Sequence, residues 1–341
     1  MEKNEIRDLF RQFEKITALV IGDAMVDSYL WGKVERISPE APIPIVSVTQ
    51  KESRLGGAAN VSLNLQALGA TPILFSVIGE DEKGDLFRRL MQKRGLSSEG
   101  ILVDPRRITT VKSRIISNGQ HIARVDEEQT DFITPELEAA MLKAVRQTVE
   151  NRSVDVIIFV DYDKGVITPS LFRNINALAL EKGIPTAVDP KKRNFGLYEN
   201  VDLFKPNFKE FVEGTKRPVA KGDFEALKSA ADRYRQEKSF RLIFVTLSEL
   251  GVFISNGTSQ SHFPANIRYI ADVSGAGDTV MSVASLCLAA GIRPGVMAQL
   301  SNLAGGLVCE QAGVVPVDRE QFSKELEKTI LPELFLCNSA T

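Results

Sequence analysis

The sequence predicts an α/β protein: a doubly wound, mostly parallel sheet with a small β-sheet lid. Three observations carry this. Short apolar, β-branched runs alternate with helix-period stretches along most of the 341 residues, which implies a parallel sheet covered on both faces. Several of these runs end in aspartate. Two stretches break the alternation and read as strands of a second, smaller sheet.

The start, "MEKNEIRDLFRQFEKI", is charged throughout and lacks a signal-peptide apolar region. "ALVIGD" (18–23) reads as a buried strand, and "GDAMVDSYLWG" (22–32) places Asp27 just after it. "WGKVERISPEAPIPIVSVTQ" (31–50) has no helical period, and its prolines force extended backbone, as a lid strand needs. "RLGGAANVSLNLQALG" (54–69) sets Gly56 and Gly57 before a helix over 58–69 that carries Asn60. A strand over 72–79 and a helix over 83–94 follow. "VKSRIISNGQHIARVD" (111–126) is a hairpin turning at Asn118-Gly119. A plain two-residue loop there pairs Ser117 with Gln120 and Arg114 with Ala123. Lys112, Arg114 and Ile116 then share one face and Arg124 the other, so the two arginines reach one ligand only if a bulge intervenes. Helices over 134–150, 169–182 and 221–238 alternate with strands over 155–161, 184–190 and 242–247, and from residue 293 the pattern is mainly helical.

Charge and composition narrow the function. Forty-two basic residues stand against 44 acidic ones, a net of −2, with no basic excess for a nucleic-acid or anionic-membrane partner. The longest apolar run, near 280–292, is broken by Ser and Gly and falls short of the about 20 residues that span a bilayer. Cys287, Cys309 and Cys337 are an odd set without metal spacing, which suits a reducing cytoplasm. Two histidines, His121 and His262, argue against His-rich metal sites and His-based triads.

The chemistry concentrates in "DVSGAGDT" (272–279). A helix should begin near Gly277 and run to Ala290, with Gly291 as its cap and Pro294 as a stop. The first turn of such a helix has N–H groups without intrahelical partners and a partial positive charge. Gly275, Ala276 and Gly277 carry little side chain, so an anion can approach those groups. Asp278 beside them can take a proton from an attacking hydroxyl while the N–H groups hold charge on a phosphoryl group. No G-x-x-x-x-G-K-[ST] P-loop is present, and Val280 stands where a dinucleotide fingerprint wants its third glycine. Asp27 can accept from sugar hydroxyls, and Asn60 can both donate to them and accept from them. The strand-end acids Asp23, Asp161 and Asp189 either handle hydroxyls or metal or start turns and cap helices.

The GG-x-x-N segment together with D-x-x-GAGD resembles the PfkB (ribokinase-like) carbohydrate kinases, over about residues 15–330. The resemblance implies a ribokinase-like fold, one kinase domain over 1–341, and lid strands inserted at about 31–50 and 109–126. It continues in "KPNFKEF" (205–211), where Asn207 and Glu210 match the family's N-x-x-E motif, tied to Mg2+ (through water) and phosphate placement. "VTLSELGVF" (245–253), with Thr246, Ser248, Glu249 and Gly251, looks like the family's nucleotide-binding strand and turn. Asn302 looks like the residue near the adenine, and Lys191 is a candidate for the nucleotide phosphates or part of a solvated "PKKR" cluster.

Within the family, "RISPEAPIPIV" (36–46), "DYDKG" (161–165) and "VDPKKRNF" (188–195) look like bacterial D-glycero-D-manno-heptose 7-phosphate kinases, which serve ADP-heptose and lipopolysaccharide synthesis. Many relatives fuse this kinase to a nucleotidyltransferase. This sequence stops at 341 without an H-x-G-H motif and is expected to perform only the kinase step. The resemblance implies Asp278 as base, and Asp27, Gly56, Gly57 and Asn60 around the sugar. Lys112, Arg114, Arg124 and Arg36 are open candidates for the substrate's own phosphate. The expected partners are ATP and a sugar phosphate, not nucleic acid or membrane, and a second copy of the chain through lid residues Ile43, Ile45, Ile115 and Ile122. Competing readings are another PfkB sugar kinase, a non-catalytic nucleotide sensor on the same fold, and an NAD-linked oxidoreductase.

Overall fold

The charged N-terminal stretch forms an amphipathic helix, α1 (Lys3–Phe13), that buries Ile6, Leu9, Phe10 and Phe13. In β1 (Thr17–Gly22), Ala18 and Val20 pack to one side and Leu19 and Ile21 to the other. The chain then passes Asp23 directly into β2 (Ala24–Ile37) and returns along β3 (Pro44–Gly57) to α2 (Ala58–Ala67). Next come β4 (Thr71–Gly79), α3 (Glu82–Lys93), β5 (Ile101–Asp104) and the hairpin of β6 (Val111–Ser117) and β7 (Gln120–Glu127). Alternation resumes through α4 (Pro135–Asn151), β8 (Val156–Val160), α5 (Pro169–Lys182), β9 (Thr186–Asp189) and β10 (Leu203–Phe204). After α6 (Phe208–Thr215), α7 (Phe224–Lys238) and β11 (Leu242–Thr246), the sheet closes with β12 (Val252–Ser255) and β13 (Gln260–Phe263). Three helices follow, α8 (Ala276–Ala289), α9 (Pro294–Val308) and α10 (Arg319–Lys328).

This computed structural model describes residues 2–265 and 269–329; Cys337 and the expected helical tail beyond 329 lie outside them. The large sheet has the order β13-β12-β11-β10-β9-β8-β1-β4-β5, parallel except at β12 and β13. Helices α1, α2, α3, α8, α9 and α10 contribute to the core on one face, and α4 to α7 to the core on the other. From β1 the chain winds outward to β4 and β5, then restarts at β8 on the other side of β1. Such a reversal opens a crevice at the carboxyl ends of the strands. No helix among the described residues is long and apolar enough to cross a membrane.

The smaller sheet, ordered β3-β2-β6-β7, departs from expectation in two ways. It is larger than the stretch 31–50 indicated, because β2 and β3 pair from Ala24–Gly57 to Ile37–Pro44, with register shifts between Trp31 and Gly32 and between Val34 and Arg36. Asp27 is therefore a strand residue of this sheet. The hairpin register also shifts. Asn118 and Gly119 adopt φ of 51° and 76°, and Ser117 pairs with Gln120 as expected. But Ile116 then faces His121 and Ile115 faces Ala123, leaving Ile122 as the extra residue of a bulge. Arg114 consequently lies opposite Arg124, not Ala123, and the two arginines share a face.

Candidate active site

Two helix N-termini meet at the crevice. α8 starts one residue before Gly277 and ends at Ala289, with Gly275 as its N-cap at φ 83°. That left-handed conformation suits glycine, and an added Cβ would also sit 3.0 Å from Asn60 Nδ2. Pro294 does more than stop α8, since it opens α9. Asn60 and Asp278 each occupy the third position of their helices, and they face one another. Asn60 Nδ2 donates to Asp278 Oδ2 at 2.8 Å. The seam continues where Thr279 Oγ1 donates to Asn64 Oδ1 at 2.9 Å and Ser282 Oγ to the Val61 carbonyl at 3.2 Å. Of the expected anion-hole N–H groups, that of Ala276 donates to the Val273 carbonyl at 3.3 Å. A Cβ built on Gly277 meets nothing within 4 Å, so open space lies before this turn.

Asp278 is buried. Loss of hydration pushes its carboxyl up to about 6, against the opposing effect of hydrogen bonds from Asn60 and Tyr162. Tyr162, whose hydroxyl donates to Oδ1 at 2.6 Å, was not singled out from the sequence, although it lies inside the quoted "DYDKG". Nothing in that pentapeptide says that its ring turns toward α8.

The strand-end acids separate into two groups. Asp23 accepts from three backbone N–H groups, those of Tyr162, Lys164 and Val166, at 2.8, 3.0 and 2.9 Å. Asp161 accepts from Tyr198 Oη at 2.7 Å, Asn194 Nδ2 at 3.0 Å and the Asp163 N–H at 2.8 Å. Both organise the loop after β8. Asp189 instead pairs with Lys205 at 3.0 Å and Lys191 at 3.7 Å. Lys205 is a further buried cation that sequence reasoning left unassigned, though it opens "KPNFKEF". Lys191 is no solvated cluster member. Burial opposes its charge, but Asp189 and Glu210 more than compensate and hold it firmly protonated. Asn207 and Glu210 form a capping box at the start of α6: Asn207 Oδ1 accepts from the Glu210 N–H at 2.9 Å and Glu210 Oε2 from the Asn207 N–H at 2.8 Å. With Lys191 on Oε1, the Glu210 carboxylate fits a magnesium ion held through water better than one bound directly.

In the smaller sheet, Asp27 lies beside Arg54 on one neighbouring strand and Lys112 on the other. Its carboxylate is buried and bonded by Arg114 Nη1. Burial raises its pKa despite Arg114, Lys112 and Arg54. Gly56 makes this possible, because a Cβ there would lie 1.9 Å from Asp27 Oδ2. Gly57, the N-cap of α2, has φ 60°. Three of the candidate phosphate cations carry partners: Arg114 bonds Asp27, Lys112 bonds Asp126 at 2.9 Å and Glu128 at 3.0 Å, and Arg124 bonds Asp126 at 2.9 Å. Arg36 is exposed near the far end of β2. Arg54 and Tyr29 were also missed. Arg54 Nη1 donates to the carbonyls of Ala312 and Val314 at 3.0 and 3.1 Å, and Tyr29 Oη accepts from the Val314 N–H at 2.8 Å. They join the smaller sheet to the segment after α9.

The expected nucleotide residues flank the same edge. Thr246 bridges to Asn207, Ser248 has φ 56°, and Gly251 has φ 89°. Exposed Glu249 pairs with Lys221 at 2.5 Å, and Asn302 Nδ2 donates to the Pro264 carbonyl at 2.9 Å.

Comparison with known proteins agrees with this architecture. Residues 15–320 match the family described as pfkB family carbohydrate kinase. The chain is 39% identical over 328 residues to the bifunctional protein HldE of Geotalea uraniireducens (strain Rf4), covering 96% of this chain and 66% of that protein. It is 33% identical to HldE of Trichlorobacter lovleyi (strain ATCC BAA-1151 / DSM 17278 / SZ), covering 100% of this chain and 71% of that one. The chain thus spans about two thirds of the length of these curated relatives. Among solved structures, phosphofructokinase-2 from Escherichia coli in complex with substrates and products is similar in fold, with a TM-score of 0.75 at 17% identity over 92% of this chain and 99% of that one. Ribokinase from Arabidopsis thaliana complexed with ribose and ATP gives 0.68 at 16% identity, over 91% and 98%. With these matches and the crevice geometry together, the chain belongs to the pfkB family of carbohydrate kinases.

Proposed function

We propose that this chain is an ATP-dependent kinase that phosphorylates D-glycero-D-manno-heptose 7-phosphate at O1, giving heptose 1,7-bisphosphate and ADP for ADP-heptose and lipopolysaccharide-core synthesis. The observation that carries the kinase chemistry is Asp278, a buried carboxylate in the first turn of α8 with open space before Gly277. The heptose assignment is supported by "RISPEAPIP", "DYDKG" and "VDPKKRNF" and by the bifunctional HldE relatives.

Asp278 takes the proton from the sugar O1 hydroxyl. O1 then bonds to the γ-phosphorus as the bond from that phosphorus to the ADP oxygen breaks. The N–H groups around Gly275 and Gly277 stabilise the phosphoryl oxygens in flight, where fixed dipoles act strongly. Asp27, Asn60 and the backbone at Gly56 and Gly57 hold the sugar. Lys112, Arg114 and Arg124 bring positive charge toward its phosphate. Lys191 and Lys205 bring it toward the nucleotide, with Thr246, Ser248, Glu249, Gly251 and Asn302 along the base. Magnesium, held through water by Asn207 and Glu210, would neutralise phosphate charge. The smaller sheet serves as lid, and its exposed Ile37, Ile43, Ile122 and Val125 support pairing of two copies in a cytoplasmic dimer.

The direct test is ADP release with MgATP across heptose 7-phosphate, fructose 6-phosphate, fructose, ribose and adenosine. Selective turnover of the heptose, with the bisphosphate seen by mass, is expected. Turnover of another sugar would discard the heptose assignment and keep the Asp278 chemistry. ATP binding without turnover on any sugar would favour a sensor.

Gly277→Ala separates stability from activity. The methyl meets no protein atom and improves helix propensity, so the melting temperature should hold or rise. It also occupies the space left for the phosphoryl group, so kcat should fall at least about tenfold. Steady-state kinetics beside a thermal melt reads both.

A further inference from the structure

Tyr162 lies between two groups of the proposed reaction and has no role in it so far. Its hydroxyl reaches the Asp278 carboxylate, and Lys191 Nζ sits 5.2 Å from the centre of its ring. The segment that presents it is held along its length by Asp23 and Asp161. Asp163 has φ 57° and Gly165 has φ 85°, where a Cβ on Gly165 would lie 2.0 Å from the Asp131 carbonyl oxygen. Such left-handed positions persist only where the surroundings over-determine them. The buried acids thus fix the loop that aims one phenol.

We propose that Tyr162 is a positioning residue: its phenol fixes the orientation of the Asp278 carboxylate and favours the anionic form, leaving a lone pair for the sugar hydroxyl. This rests on Asp278 being the base. A carboxylate accepts about four hydrogen bonds. Tyr162 takes one on Oδ1 and Asn60 one on Oδ2, which locks the plane of the group and leaves room for the substrate. A bond donated to the ionised form favours that form. The other groups facing Asp278 are Asp189 at the end of β9, which opposes its ionisation, and Lys205 after β10, which supports it. Lys191 and Asp278 also act on one another. Tyr162 remains a donor throughout, because burial and the Asp278 charge push its phenol far above the ordinary range.

Tyr162→Phe keeps the ring and the Lys191 contact and deletes one donor. The full chain should be assayed with MgATP and heptose 7-phosphate from about pH 5 to 9, following kcat/KM. The acid limb should move up by about one pH unit, a loss of about tenfold near pH 5 that shrinks to less than about threefold near pH 8. The KM for ATP should stay within about twofold. A limb left at its wild-type position overturns the proposal, whatever happens to kcat. A second measurement needs no turnover: a 13C carboxyl titration by NMR, with the Asp278 signal assigned through Asp278→Asn. Its midpoint should rise in Tyr162→Phe, and an unmoved midpoint also overturns the proposal. Failure of the kinase reading would show separately, as wild-type protein inactive on every sugar while the NMR comparison still decides the coupling.

Discussion

Asp278→Asn is expected to lower kcat by about 10²–10⁴-fold while ATP affinity stays within about twofold. The substitution keeps the volume in a buried pocket and removes the proton acceptor. It should not cost stability. Burial pushes the Asp278 carboxyl up to about 6 from the ordinary 3.8, which is about 3 kcal/mol of preference for the neutral form. A folded state that binds the proton more tightly than the unfolded chain loses stability as pH rises from about 4 to 6. Above that window the wild-type protein carries the full penalty, and an amide carries none. Part of the gain is lost because an amide has one acceptor oxygen where the carboxylate has two: with that oxygen kept on Asn60 Nδ2, the amide nitrogen faces the Tyr162 hydroxyl, which now donates to Asp278 Oδ1. The melting temperature of the variant at pH 7 should therefore equal or exceed that of the wild type. Wild-type activity should fall as pH drops through about 6, where the base takes up its proton. Near-normal turnover in the variant would remove Asp278 from the role of base.

Arg114→Ala is the second large effect, and it acts on the smaller sheet. The guanidinium is the hydrogen-bond partner of the buried Asp27 carboxylate, with 10% of the Arg114 side chain and 4% of the Asp27 side chain exposed. Removing one member of a buried pair strands the other charge, at a cost of about 3–5 kcal/mol. Burial already raises the Asp27 pKa with Arg114 present, and its loss raises it further. Asp27 in the variant thus binds its proton more tightly when folded. Stability is then lost as pH rises through the interval above the unfolded value, and the deficit is largest at neutral pH and smaller in acid. Chemical denaturation at two pH values reads this. Adding Asp27→Asn to Arg114→Ala should recover part of the loss, since no charge is left unpaired. Equal deficits at both pH values, with no recovery in the double variant, would show that Arg114 stabilises by packing alone.

The two candidate arginines lie in this same sheet. Arg114 and Arg124 were expected on opposite faces, and a single inserted residue, Ile122, puts them on one. Bulges of this kind depend on how the hairpin packs, and the Asn-Gly turn is compatible with either register. A similar limit applies to the acids at strand ends. Asp23, Asp161 and Asp189 look alike in sequence, each following an apolar run. Only the three-dimensional structure shows that Asp23 and Asp161 both organise the loop after β8 while Asp189 faces Lys205.

By itself, the sequence determined the alternation of strands and helices, the start of α8 at the glycine-rich turn, the hairpin at Asn118-Gly119, and the pairing of a GG-x-x-N segment with D-x-x-GAGD. Periodicity, glycine conformation and helix-end chemistry are local, so they can be read within a window of a dozen residues. The bond from Asn60 to Asp278, the phenol of Tyr162 on the same carboxylate and the burial of Asp27 against Arg114 join residues 218, 116 and 87 positions apart. No local pattern encodes such distances. Tertiary structure decided them by bringing two helix N-termini and the carboxyl ends of parallel strands to one crevice. There the loss of water makes the ionisation of a single aspartate depend on its neighbours.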